Sequence, residues 1–251
     1  MSSASSPATA ASDPLARLAG LEGVASAMAA TRDGIDVLLR DRGLRQSPPE
    51  MTTESLLLGA HASAVLEGSR SSLDDLRAGV GDETAQAALR VSAELLALVP
   101  VLRRAPLQAL ARLHTLAGKG VVADAELGRP RDAAAAARLN DLSRVLVSPT
   151  EAPALVVAAV VHAELVSVAP FVSHNGIVAR AAERLVLVAR GVDPKSLVVP
   201  EAGHLQLRRE YESNLRAYRD GGPAGVHSWL LYAAEGYAAG AEASPLVREG
   251  A

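Results

Sequence analysis

The sequence predicts an all-α protein organised around one helix-loop-helix, and three observations carry that prediction. The chain is 49% hydrophobic yet has one Phe and one Trp, a composition suited to helices packed closely through small side chains rather than to aromatic cores. Apolar residues recur at helical spacing in stretch after stretch, with Gly and Pro between them. The run from 154 to 168, broken only by His162, Glu164 and Ser167, is too rich in alanine and leucine to prefer a strand over a buried helix.

Taken in order, residues 1–13 are rich in Ser, Ala and Thr without an apolar core and read as a disordered tail rather than a signal peptide. Residues 14–49 form an N-terminal helical extension. Leu18, Leu21, Val24, Met28, Ile35 and Leu38 lie at helical spacing in one helix broken near Gly20 to Gly23, or in two, and the connector from Arg40 to Pro49 follows. The main helical domain is expected over 50–241, with a C-terminal tail at 242–251. Its first helix ends near Glu67, with Leu56, Leu57, Ala60, Ala64 and Val65 as the apolar face and Gly68 as a left-handed cap. A carboxylate in that last turn opposes the helix dipole, so a cation is expected beside Glu67; Arg70 is the nearest in sequence.

Helical patterning resumes from Leu73 to Leu102, around Leu89, Val91, Leu95, Leu96 and Leu98, and again from Ala105 to Leu116, where His114 reads as a structural histidine. Gly118 to Arg131 is a loop, and the five alanines from Ala133 to Ala137 favour helix over an edge strand. After the apolar run, Pro170 stops the helix, and another begins by Ile177 and continues to Arg190. Val192 to Leu207 is rich in turns, Arg208 to Arg219 is a polar helix, and Ala224 to Ala241 is a final apolar helix bearing Trp229 and Tyr232.

The linker 169–176 opens the first turn of a buried helix, where unpaired backbone N–H groups and the positive end of the dipole suit a phosphate or carboxylate. Ser173, His174, Asn175, Gly176 and Arg180 are the candidate anion-binding residues. On the residues alone a second reading stands: Asn175-Gly176 as a tight turn and Arg180 as a solvated helix charge.

The stretch Pro170, Phe171, Asn175, Gly176 and Arg180 resembles the signature of the Fic (Fido) family, whose pattern runs His-Pro-Phe, any residue, an acid, Gly-Asn-Gly-Arg, two residues, Arg. Ser63, Glu67 and Gly68, about a hundred residues earlier, are similar to the family's inhibitory motif. The resemblance extends over roughly residues 50 to 240. It implies a Fic-like helical domain, ATP or another nucleotide as ligand, transfer of AMP or a related group to a protein hydroxyl, and a glutamate, here Glu67, that pairs with Arg180 and obstructs the nucleotide. The departures matter as much. Ala169 stands where the family has its catalytic histidine, Ser173 where it has its magnesium-binding acid, His174 replaces a glycine and Ile177 the first arginine. The expectation is therefore a degenerate site without a base or a magnesium ligand, acting by nucleotide, phosphate or protein binding. The alternative is a transferase with rewired chemistry, in which His174 is the surrogate base and His162 stands too far back. The strand-pairing flap of such enzymes is expected to be short or absent.

A formal charge of −3 offers no footprint for nucleic acid, and the lack of cysteine excludes disulfides and thiolate metal sites. No apolar run makes a clean membrane span, so the cytoplasm is expected. A second copy of the chain is a candidate partner through the N-terminal segment. His204 and His227 have no ligand-spaced neighbours in sequence, so no metal is assigned.

Overall fold

The computed structural model describes residues 13–41 and 49–248. Fourteen α-helices and one 3-10 turn, and no strand, are found among the described residues. Asp13 caps α1 (Pro14–Ala19) by accepting hydrogen bonds from the amides of Leu15 and Ala16. α2 (Val24–Asp41) follows a break at Gly20 to Gly23, where Gly23 takes a φ of 74°. The connector expected at 40–49 falls mostly on residues 42–48, outside the described residues, as do residues 1–12.

α3 (Pro49–Leu66) is followed by α4 (Leu73–Arg77), α5 (Glu83–Glu94), a 3-10 turn at Leu96–Leu98, α6 (Val99–Arg104) and α7 (Pro106–Gly118). The single helical stretch expected from Leu73 to Leu102 is thus divided. Asp82 caps α5, and Pro100 and Pro106 each sit in the first turn of a new helix, where a missing N–H costs nothing. Between α7 and α8 (Ala133–Val147) the chain makes turns only, and Asp132 accepts from the Ala135 amide to start α8 at the alanine run. No strand stands where a flap hairpin would.

α9 (Ala154–Val168) and α10 (Asn175–Ala189) form the centre, and both are almost wholly buried. Buried Phe171 stacks on His114 of α7 with ring centroids 4.3 Å apart, which anchors the α9–α10 loop to its neighbour. The turn-rich 192–207 segment contains a helix that the sequence reading did not separate, α11 (Pro200–Gln206), then come α12 (Arg208–Asp220) and α13 (Gly222–Glu242). α11 lies against α13 at backbone distance: a Cβ on Gly203 would stand 2.0 Å from the Gly236 carbonyl oxygen. Residues 242–248, expected as part of a tail, finish α13 and form α14 (Pro245–Arg248), which packs on α3 with Leu246 buried. The N-terminal helices pack on α9 and α13, so they share one core with the rest.

The inner face of α3 is rotated from the expected one: Ala60 and Ala64 are buried as expected, but Leu56, Leu57 and Val65 are half-buried, while Ser55, Gly59 and Ser63 line the inside. The reason lies across the interface, where buried Arg180 and Arg184 of α10 require hydrogen-bond acceptors and close approach. Among the described residues no single helix is long and apolar enough to cross a membrane.

Candidate functional site

The end of α3 and the start of α10 meet at one point. Glu67 follows the last turn of α3, and Gly68, at φ 92°, turns the chain away. The Glu67 carboxylate reaches across to Arg180, with Oε1 2.7 Å from Nη2. Arg180 is 2% exposed and spends its other donors on α3 and α12: Nε donates to Ser63 Oγ at 2.9 Å, Nη2 also to the Ser63 carbonyl at 3.2 Å, and Nη1 to Tyr211 Oη at 3.1 Å. Burial disfavours the cation, but Tyr211 and Glu67 outweigh it and hold the guanidinium pKa above its ordinary value. The Tyr211 hydroxyl is pushed up to about 12 by burial, against the pull of Arg180, so it stays protonated. Arg70, the neighbour in sequence, is exposed and the cation opposite Glu67 comes from α10 instead.

The carboxylate also covers the first turn of α10. A Cβ on Gly176 would fall 2.0 Å from Glu67 Oε1 and 3.2 Å from Arg180 Nη1, so glycine is what lets this anionic group sit there. The α10 N-terminus has no side-chain cap: His174, at its head, donates and accepts nothing with the first-turn amides. A carboxylate thus rests over a bare helix start, where a phosphate would be favoured by the same amides and dipole. About a third of the Glu67 side chain is open to solvent and Val172 in the loop is 45% exposed, so the place is reachable from outside.

The remaining loop residues have local duties. Asn175 folds back on the loop: its Oδ1 accepts from the Phe171 amide and its Nδ2 donates to the Phe171 carbonyl, both at 2.9 Å. Its side chain therefore fixes the loop, while its backbone, the part expected to approach an anion, stands in the first turn of α10. Ser173 Oγ lies 2.6 Å from His174 Nδ1. His174 sits at φ 56° and Ala169 at φ 44°, both left-handed, as suits a glycine-like turn at each end of the linker. Arg131 pins the other side by donating to the carbonyls of Ala169 and Pro170, through its side chain at 2.7 Å and its amide at 2.8 Å. Ala169 brings only a methyl group to the position the signature gives to a base. His162, set aside as too distant, is fully buried and hydrogen-bonded to Tyr211 at 2.9 Å, so Arg180, Tyr211 and His162 form one line from the surface into the core.

Tyr211, Ser55, Arg184, Glu183 and Glu201 were not singled out by sequence reasoning. The available signal was the i,i+4 spacing of Ser55, Gly59 and Ser63 on one helix and of Arg180 and Arg184 on the other.

His114 supplies a pH-dependent consequence. Burial, with help from nearby His174, holds its pKa down to about 4, against an ordinary 6.5. The unfolded chain therefore takes up a proton below about pH 6.5 that the folded chain refuses until about pH 4. Stability should fall by up to about 1.4 kcal/mol per pH unit on acidification through that window. Urea unfolding of the protein and of His114→Gln at pH 7, 6 and 5 checks this: the variant is expected to lose part of the slope, and an unchanged slope would contradict the assignment.

Several solved structures share this architecture. A crystal structure of a Fic family protein from Desulfovibrio desulfuricans G20 matches with a TM-score of 0.69 at 18% identity, covering 84% of this chain and 73% of that one. Fic-1 from C. elegans matches with a TM-score of 0.68 at 17% identity, covering 94% of this chain and 76% of that one, and a variant of the same protein with 0.63 at 18%, covering 90% and 72%. No protein-family model and no curated protein matches the sequence. At these identities the likeness is one of fold.

Proposed function

We propose, from the premise that the chain has the fold of Fic family proteins, that it binds a nucleotide or another phosphate-bearing ligand at the start of α10 and does not carry out the AMP transfer that the signature implies. The observation that supports this most is the Glu67 carboxylate lying over Gly176 and against Arg180, an anion in the place an anionic ligand would take. The absence of transfer follows from side chains. Ala169 cannot accept a proton, and Ser173, engaged with His174, provides no carboxylate for magnesium, so two supports of phosphoryl-type chemistry are missing. Glu67 acts here as an internal competitor, which a ligand must displace.

The test is a thermal-shift series with ATP, GTP and a CDP-linked nucleotide, with and without magnesium. A ligand that binds only the folded state stabilises it by about 2.7 kcal/mol at a hundredfold excess over Kd. The expected result is a rise with at least one nucleotide, weakly dependent on magnesium, and a larger one in Glu67→Gly. Loss of a charged competitor should tighten binding by about tenfold or more. No shift with any nucleotide, in either protein, would sink the proposal.

One observation favours a second reading. The His174 imidazole is 2.6 Å from the Ser173 hydroxyl and burial lowers its pKa, so a neutral base is already in contact with a hydroxyl in the loop. Label transfer from a phosphate-labelled nucleotide, lost in His174→Ala, would select that reading.

A further inference from the structure

Three side chains from three helices converge in the core, one tyrosine hydroxyl beyond Arg180. His162 of α9, Glu183 of α10 and His204 of α11 are each 0% exposed. Glu183 Oε2 lies 2.9 Å from His162 Nδ1 and 3.0 Å from His204 Nε2, and the three ligand atoms all stand within 4.8 Å of one another. The outer atom of each is held by a tyrosine hydroxyl: His162 Nε2 by Tyr211 at 2.9 Å, His204 Nδ1 by Tyr232 at 2.8 Å, and Glu183 Oε1 by Tyr237 at 2.8 Å. Each group is therefore oriented with one ligand atom facing the common centre.

We propose that His162, Glu183 and His204 form a buried site for a divalent transition ion, with zinc the closest chemical fit. Two imidazoles and a carboxylate are the donor set of three-ligand zinc sites, and hydrogen bonds to the outer ring nitrogens and the second carboxylate oxygen are the support such ligands need. His162 Nδ1 carries the independent sign. It is fully buried and 2.9 Å from Glu183 Oε2, yet makes no well-directed hydrogen bond to it, whereas His204 Nε2 does bond to the same oxygen at 3.0 Å. An ion at the centre would take up the unused position of His162 Nδ1 and replace the His204–Glu183 hydrogen bond.

The closest guanidinium along the polar chain, Arg180, already pairs with Glu67. An ion at the centre would compensate the buried carboxylate and tie α9, α10 and α11 together. Zinc–ligand distances of about 2.0–2.1 Å require ligand atoms roughly 3.3 Å apart, so the contacts at 2.9 and 3.0 Å would open by a few tenths of an ångström while the two ring nitrogens, within 4.8 Å of each other, would settle to the same spacing. With three protein ligands, one position is left for a water molecule.

The experiment uses the full chain, dialysed against chelator and then titrated with Zn²⁺ or Co²⁺. Metal content is read by mass spectrometry, coordination by the visible absorption of Co²⁺, and stability by Tm. The expected result is one equivalent retained, the intense spectrum of a low-coordinate cobalt site, and a Tm rise of about 5–10 °C at saturating ion. His204→Gln should lose all three, whereas His227→Gln, at a half-buried histidine outside the cluster, should keep them. If His204→Gln fails to fold, the cobalt spectrum of the unsubstituted protein decides alone. Absence of a retained equivalent and of any Tm change in the unsubstituted protein would overturn the proposal, as would equal uptake by His204→Gln; the cluster would then be a hydrogen-bond network of neutral imidazoles around a carboxylate.

Discussion

Arg184→Ala is expected to cost about 3–5 kcal/mol of unfolding free energy. The guanidinium is 1% exposed and every donor is used. Nε donates to Ser196 Oγ at 2.7 Å, Nη1 to Glu201 Oε2 at 3.0 Å and to the Ser55 carbonyl at 3.3 Å, and Nη2 to the Ser55 hydroxyl and, at 3.0 Å, to the Ser196 carbonyl. It joins α10 to α3, to the 192–199 segment and to α11 at once. Removing it leaves Glu201, 5% exposed, as a buried carboxylate without its cation, and that penalty exceeds the lost hydrogen bonds. Gly59 belongs to the same joint, since a Cβ there would come within 2.3 Å of Arg184 Nη1. Urea unfolding of the two proteins measures the difference. A loss below about 1 kcal/mol would place this pair among ordinary surface ion pairs and contradict the argument.

Arg180→Ala is expected to have the largest effect on ligand response and a smaller one on stability. It lies one turn before Arg184 on the same face of α10 and is equally buried. Its partner differs: the Glu67 side chain is 34% exposed against 6% for Glu201, so water can solvate Glu67 once the guanidinium is gone. On the ligand side, a phosphate at the α10 start loses the guanidinium that now pairs with Glu67. Hydrogen bonds to charged groups are worth about 1.5–3 kcal/mol, so affinity should fall by roughly ten- to a hundredfold. Thermal shift with the best nucleotide, compared across the unsubstituted protein, Arg180→Ala and Glu67→Gly, reads both effects. Equal nucleotide shifts in the unsubstituted protein and Arg180→Ala would remove Arg180 from the site. A stability loss in Arg180→Ala as large as that in Arg184→Ala would refute the contrast between an open and a sealed pair.

Those two arginines explain how far the sequence could be read. Alanine-rich periodicity, proline at helix starts and glycine at helix ends are local properties, and they led to an all-α chain with a helix-loop-helix at 154–190 before any coordinates. Likeness to a signature named Glu67 and Arg180 as partners, and they stand 2.7 Å apart. The same reading named Ser63 only as part of the inhibitory motif and was silent on Ser55 and Tyr211, because a serine on an apolar helix or a tyrosine on a polar one has no local mark that says which distant cation it will serve. Nor did it show that the Asn175 side chain closes the loop on Phe171.

The sequence by itself determined the all-α class, the order of the longer helices and a bare helix start near Gly176, since backbone propensity and capping act over a few residues. Tertiary structure alone decided which charges are buried together. His162, Glu183 and His204 lie 21 residues from one to the next, a spacing that carries no metal signature, and they meet only because α9, α10 and α11 pack around one point. Electrostatic partners are selected by distance in space, and along a chain that distance is set by packing and not by residue number.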